Sequence, residues 1–261
     1  MFFKKSLAIG LLCLLSSVCW SQSQTIKILS YNIYHGEDPY QSNRPNLDQV
    51  ISLIKQLDPD IVAFQEVDSM TTRTARVYGE KVDLVKEIGK QTDMAAYFAK
   101  AMDYAEGGYG EGLLVKGSPT FSTQLLPTPV GGEPRSVAWA ETADQILIGG
   151  THLCHQFEEN RKAQVKAIDE AIQKQQKPVI WMGDLNFGPN DPEYTLIKDA
   201  YTDAAVAAKN EQPTYRSETF ADRIDYVWYS SKDFKLVSYE VLDVPYSDHF
   251  PVLVTLEKLK P

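Results

Sequence analysis

Side chains able to do hydrolytic chemistry recur at the ends of apolar runs in this sequence. "LSYN" ends at Asn32, "IVAFQE" at Gln65 and Glu66, "ILIGGTH" at Thr151 and His152, and "VIWMGDLN" at Asp184 and Asn186. "YSDHFP" sets Asp248 and His249 just before the last apolar run, and "RIDY" puts Asp225 inside or at the start of another. A carboxylate beside "IVAF" or "VIWM" is costly unless it is paired, hydrogen-bonded or metal-bound. Any one of these groups alone is equally well a helix cap or a satisfied core polar group. Together, at strand ends, they point to a cleft, because a rigid sheet presents reactive groups there.

The residue types agree with one another. Glu66, Asp184 and Asp248 are oxygen ligands suited to a hard divalent cation such as Mg²⁺, with Mn²⁺ an alternative. Asn32 and Asn186 are neutral amides that can orient a ligand or a phosphate. His152 and His249 can donate to a phosphoryl oxygen or move protons near neutral pH. The set reads as a hydrolytic phosphate site: a metal for charge, a carboxylate for a water, imidazoles for the developing oxyanion.

"GGTHLCHQ" (149–156) raises a competing reading, since it gathers His152, Cys154 and His155 in a chain with four histidines and three cysteines. On a strand His152 and Cys154 share a face, and His155 falls in the following loop, where it can touch substrate. A structural zinc needs four ligands, and no nearby Cys pair supplies the fourth. A cysteine nucleophile is the other local option.

The elements that must position these groups alternate along the chain. Strands are read at 25–32, 60–68, 112–117, 136–141, 145–153, 178–186, 223–230, 234–242 and 251–257. Helices are read at 47–57, where Leu47, Val50, Ile51, Ile54 and Leu57 hold helical spacing, at 76–92, and at 159–175, with Val165, Ile168 and Ile172 on one face. Asn190 or Asp191 caps a short helix opening with Pro192. Helices between strands in both halves, with strands also clustered, predict packed sheets with helices outside. "IVAFQE" and "VIWMGD" echo each other, each an apolar strand ending in a carboxylate.

Residues 1–21 read as a secretory signal peptide: Lys4 and Lys5, then an apolar run too short to span a bilayer, then small residues before a cut ahead of Gln22. The expected location is therefore secreted or periplasmic. Residues 22–261 contain no Gly/Ser-rich linker and no short repeat, and are read as a single domain with a sizeable core. Of the cysteines only Cys154 remains after the leader, so no internal disulfide is expected. The formal charge of −9 falls to −11 once the leader's two lysines are removed. No basic run follows Lys5, which argues against a protein that wraps long duplexes through their phosphates.

"LSYNIYHG", "DIVAFQEVD", "THL", "GDLN", "RIDYVW" and "SDHFPV" occur, in that order, in a pattern that resembles the endonuclease/exonuclease/phosphatase superfamily over residues 25 to 257. The ordered set is the signal, not any single motif. The resemblance implies a four-layer α/β/β/α sandwich, two packed mixed sheets with outer helices, and Mg²⁺-dependent phosphoester hydrolysis. By matched position it implies that Glu66 ligates the metal, Asn32 supports it and Asp248 lies near it. It implies further that Asp184 orients or deprotonates the attacking water and Asn186 holds the nucleophile or phosphate. Asp225 would pair with His249 and fix its tautomer, and His152 would hydrogen-bond the phosphate.

The sequence departs from the pattern at Glu111 and Lys116, where relatives often carry Asn and Arg, and at Cys154, where Asp is frequent after "THL". Arg73, after "QEVD", can bind a phosphate or headgroup or be a surface arginine. Arg135 can reach the cleft or pair with Glu133 or Glu141. His35 reads as a loop histidine bonded to backbone, and Tyr104 and Tyr109 flank a loop able to line a groove. The substrate class stays open among nucleic acid, inositol or sugar phosphate and phospholipid headgroup. A binding protein on the same fold that has lost turnover is the alternative to an enzyme.

Overall fold

The computed structural model describes residues 24–216 and 222–260; the leader read over residues 1–21 lies outside them. In the first half of the chain, β1 (Thr25–Asn32) crosses through α1 (Leu47–Leu57) to β2 (Ile61–Ser69). Two helices follow, α2 (Thr72–Tyr78) and α3 (Leu84–Thr92), then a hairpin of β3 (Ala95–Tyr104) and β4 (Gly107–Val115). The second sheet begins with β5 (Thr120–Leu125), β6 (Ser136–Glu141) and β7 (Leu147–His152), and crosses through α4 (Glu158–Gln175) to β8 (Val179–Asp184). It continues with α5 (Pro192–Thr195), β9 (Thr202–Asp203), α6 (Ala204–Ala208) and β10 (Asp225–Tyr229). The chain then returns to the first sheet as β11 (Phe234–Val241) and β12 (Val252–Lys258).

The strand orders are β11-β12-β1-β2-β4-β3 and β5-β6-β7-β8-β10-β9. One pair in each sheet is parallel, β1 with β2 and β7 with β8, and a helix makes each crossover. Three apolar layers hold the stack together. Ile28, Ala63, Leu113, Ile148, Met182 and Val254 fill the space between the sheets. Val50, Ile54, Val85 and Ile88 of α1 and α3 cover the outer face of the first sheet against Leu29 and Phe64. Val165, Ile168 and Ile172 of α4 cover the second against Trp181 and Trp228. This is the α/β/β/α sandwich. Central strands covered on both faces read as unbroken apolar runs, which is why "IVAF" and "VIWM" show no alternation.

Several parts of the chain differ from the sequence reading, which lacks β5, β9 and α6. The helix expected over 76–92 is two helices. Gly79 ends α2 with φ 83, and Asp83 caps α3 by accepting from the Lys86 N–H. The strand expected at 112–117 starts at Gly107, and its partner β3 was not read at all, because "AAYFAKAM" is alanine-rich and lacks β-branched residues. Asp191 does occupy the cap position of α5, but its Oδ2 accepts from the Gly188 N–H, not from the helix. Among the described residues no helix is long and apolar enough to cross a membrane.

Candidate functional site

The two parallel pairs end at the same cleft, of about 480 Å³, which Glu66, His152, Asp184, Asn186, Asp248 and His249 line. In the first sheet the register shifts between Phe64 and Val67 of β2 opposite β4, leaving Gln65 and Glu66 in a bulge. Glu66 adopts φ 55, a conformation a non-glycine residue holds only when its surroundings impose it. Asn32, at the end of β1, donates through Nδ2 to Glu66 Oε1 at 3.2 Å and to Asp184 Oδ2 at 3.1 Å. Its Oδ1 accepts from the Tyr34 N–H. Asn32 is thus the link between the carboxylates of the two sheets, and it faces them with its donors. Any support it gives a cation would run through Glu66.

In the second sheet, His152 and Asp184 are register partners on β7 and β8. Gly183 lets the two strands approach there: it sits at φ 147, and a Cβ would come within 1.8 Å of the Thr151 carbonyl oxygen. Asp184 Oδ2 lies 3.5 Å from Nε2 of His152 and 3.5 Å from Nε2 of His249. Asp184 Oδ1 accepts from the Asn186 N–H at 3.0 Å, and Asn186, at φ 52, anchors its own amide on the Leu153 carbonyl. On the other side of His249, Nδ1 is 2.8 Å from Asp225 Oδ2. Thr214 Oγ1 accepts from the Asp225 N–H and fixes the start of β10. The ring of Tyr215 lies 4.9 Å from that of His249 and lines the cleft; no sequence motif marked it.

The electrostatics divide the site. Burial alone would raise the Glu66 carboxyl, but His35, His152 and Asn32 outweigh it and hold Glu66 well below the usual carboxylate range. Burial pushes Asp184 up, and Asp225 and Glu66 add to this against the opposing pull of His249 and Asn32. Asp248 is also raised, by burial and then by Glu66, against His249. Burial opposes a charge on His249, yet Asp225, Asp184 and Asp248 raise it far enough to keep the imidazolium near neutral pH. His152 is lowered, by burial and then by Arg135, and stays neutral. Its Nδ1 is buried with no hydrogen-bond partner among the described residues.

This surplus of carboxylate is what a divalent cation offsets, and the donor set fits one. Glu66 and Asp248 offer oxygen at the cleft wall, the ligand type that hard cations prefer. Asp184, Asp225 and His249 also bring ligand atoms within 4.8 Å of one another. That trio is the poorer seat, because His249 is held protonated and its Nδ1 faces Asp225.

The remaining expected residues separate. Arg135 is 2 % exposed and lines the cleft. It pairs with Glu133, donates to the Leu153 carbonyl and sits 3.2 Å from His155 Nδ1. Glu141, the other partner considered for it, pairs with Lys177 instead. His155 lines the same cleft from an exposed loop. Arg73 does not line it: its guanidinium forms a bidentate pair with Asp68 and lies over Tyr104 and Tyr109, on α2 rather than in a loop. Tyr109 is buried at the cleft wall.

His35 is not bonded to backbone as expected. It is buried, with Nε2 3.3 Å from Glu37 and Nδ1 3.9 Å from Glu66. Its closeness in sequence to Asn32 was the available signal. The shared strand face expected for His152 and Cys154 does not form, because β7 ends at His152 and Cys154 lies beyond it. Cys154 is fully buried against α4, where its N–H donates to Gln164 and its Sγ accepts from Asn160. A buried thiol away from the cleft fits neither a zinc site with His152 nor a nucleophile.

Solved structures with this fold include an endonuclease/exonuclease/phosphatase from Bacteroides vulgatus, 21% identical, TM-score 0.72, covering 90% of this chain and 100% of that one. A mannosyl-6-phosphatase from Bacteroides thetaiotaomicron is 18% identical, with TM-score 0.70, over 88% of this chain and 99% of that one. The catalytic domain of human nocturnin, with bound sulfate, is 18% identical, with TM-score 0.67, over 91% and 97%. No curated protein matches the sequence significantly. The sequence profile of the Endonuclease/Exonuclease/phosphatase family spans residues 29–249, from within β1 to His249, and the chain belongs to that family.

Proposed function

We propose that the protein hydrolyses phosphoester bonds with a divalent cation, Mg²⁺ or Mn²⁺, and is exported through the leader at residues 1–21. The observation that carries this reading is Asp184 Oδ2, held by Asn32 between two imidazole Nε2 atoms beside the Glu66 and Asp248 carboxylates. Glu66 and Asp248 would hold the cation, whose contribution when bound is to neutralise charge on the phosphoryl group. Asn32 keeps Glu66 and Asp184 in fixed relation. Asp184 aligns the attacking water and takes its proton, a role suited to a carboxyl that burial has made more basic. His249, charged through Asp225, donates to a phosphoryl oxygen as negative charge develops there. His152 supplies a second, neutral donor, and Asn186 steadies the water or the phosphate.

The family relatives named above differ in what they act on, so the fold leaves the substrate open. The charge of −11 on the exported form disfavours long nucleic acid duplexes. The test is a substrate panel with and without EDTA: plasmid DNA, RNA, inositol and hexose phosphates, sphingomyelin and bis-p-nitrophenyl phosphate. Hydrolysis of at least one ester, abolished by EDTA and restored by Mg²⁺ or Mn²⁺, is expected. Inactivity on all of them with either metal, or turnover indifferent to EDTA, rejects the reading. Export is checked separately, by the N-terminus of the mature chain, expected at Gln22.

A further inference from the structure

Two residues of the cleft wall have no part in the chemistry above, and they touch each other. Arg135 and His155 both line the cleft, and Nη2 of Arg135 lies 3.2 Å from Nδ1 of His155. A guanidinium has donors only and keeps its proton in proteins. The lone pair of this contact therefore belongs to Nδ1. A neutral imidazole carries a single proton, so that proton sits on Nε2. His155 is left with a donor at Nε2 and no acceptor to offer.

The contact is built into the fold, although His155 itself is exposed. Arg135 is buried; its Nε donates to the Leu153 carbonyl and its Nη1 to Glu133 at 2.7 Å. The Leu153 carbonyl also accepts from Asn186, so the guanidinium and the amide proposed to steady the water or phosphate share one anchor. The first two turns of α4 clamp the backbone on either side. Gln164 accepts from the Cys154 N–H and Arg161 donates to the Cys154 carbonyl, immediately before His155. Asn160 accepts from the Val130 N–H and donates to the Gly131 carbonyl, in the loop that leads to Arg135.

A histidine without such a partner exchanges its proton between the two ring nitrogens. One of the two forms turns a lone pair toward whatever its Nε2 faces, and phosphoester oxygens are acceptors that this form repels. Arg135 removes that form, because the hydrogen bond at one ring nitrogen decides the protonation of the other. We propose that His155 donates from Nε2 to an oxygen of the phosphoester, and that Arg135 is the positioning residue that fixes its tautomer. The proposal rests on the phosphoester hydrolase reading above and adds a third imidazole donor to those of His152 and His249.

Two amide substitutions separate contact with Arg135 from contact with substrate. His155→Asn sets an oxygen near the place of Nδ1 and keeps a partner for Arg135, but reaches no further. His155→Gln carries its amide donor out to the distance of Nε2. On whichever ester the panel identifies, His155→Ala and His155→Asn are expected to lose about tenfold or more in kcat/KM, and His155→Gln to recover most of it. A His155→Gln variant no better than His155→Asn, or no loss in His155→Ala, overturns the proposal. Arg135→Met should cost about as much as His155→Ala, and the double variant no more than either. Additive losses would put Arg135 on the substrate by itself and overturn its positioning role.

The tautomer is read without turnover, and without relying on the fold of Arg135→Met. Long-range proton–nitrogen correlation spectra of the wild type at about pH 8.5, above the ordinary imidazole range, should show an unprotonated Nδ1 and a protonated Nε2 for His155. Its signal is assigned by its loss in His155→Gln. A protonated Nδ1, or two averaged nitrogens, overturns the proposal. Should no ester be hydrolysed with either metal, the hydrolase reading fails by itself. Titration with inorganic phosphate and Mg²⁺ then decides His155: a displaced Nε2 resonance supports the donor, and an unmoved one overturns it.

Discussion

The two halves of the sandwich build the same device and use it differently. In each, a parallel strand pair closed by a helical crossover ends in a polar residue on the first strand and a carboxylate on the second: Asn32 with Glu66, His152 with Asp184. The first half tilts its carboxylate into the cleft with a bulge and a positive φ, and surrounds it with groups that keep it ionised. The second half keeps its strand in register by means of Gly183, and buries its carboxylate so that it binds a proton more readily. One geometry therefore yields one carboxyl held ionised and one that burial makes easier to protonate. The difference lies in burial and neighbours, not in the backbone plan.

The largest effect expected is at Asp184, the proposed base. Asp184→Asn keeps the shape and the contacts to Asn186 but removes the proton acceptor, and should lower kcat by about 10³-fold or more with little change in KM. Kinetics on whichever ester the panel identifies, at saturating metal, measure this. A variant that kept wild-type kcat would sink the assignment.

Asp225→Asn comes next. It leaves Nδ1 of His249 a hydrogen-bond partner but removes the largest of the three charges that favour the imidazolium, so its charged donor weakens. A loss of about 10²-fold in kcat is expected. An unchanged kcat would mean that His249 has no part in stabilising charge.

Glu66→Gln tests the other half. The concentration of Mg²⁺ or Mn²⁺ giving half-maximal activity should rise by about tenfold or more, with kcat partly recovered at saturation. Asp184→Asn should leave that midpoint nearly unmoved. The reverse pattern, with the midpoint shifting in Asp184→Asn alone, would exchange the roles of the two halves.

The places of both carboxylates could be read from the sequence because apolar strands ending in carboxylates are local patterns, while the division of roles between them came from the family resemblance. The residues that decide each carboxylate's behaviour are not local. Tyr215 reaches His249 from a segment with no periodicity, and His35 reaches Glu66 only because Tyr34 and His35 both adopt positive φ. The pairing of Asp225 with His249 came from the family resemblance, since nothing in "RIDY" says what it faces. Proximity in "THLCHQ" carries no such information either: Cys154 lies beyond the end of β7 and is buried against α4. Likewise "AAYFAKAM" hid β3, because its place in the sheet is set by pairing with β4 rather than by its own propensity.

The effect smallest on turnover, felt in stability instead, concerns the seam between the halves. Glu111 of β4 is fully buried and bonded by Ser136 of β6, with Arg135 nearby, and burial pushes its carboxyl up to about 8. The folded chain therefore holds this proton more tightly than the unfolded chain, where the ordinary value is 4.5. The stability it brings is fully present below the unfolded value and is lost as pH rises through the folded one, a window from about 4.5 to about 8. The loss over that window is of order 3–5 kcal/mol. Glu111→Gln keeps the shape without the titration, so the variant should gain on the wild type in urea midpoint as pH rises from 5 to 8.5, with kcat little changed. Parallel pH profiles for the two proteins would show that Glu111 is already ionised in the fold. The seam would then be held by charge with Arg135, and joining the two halves would not require a neutral carboxyl between them.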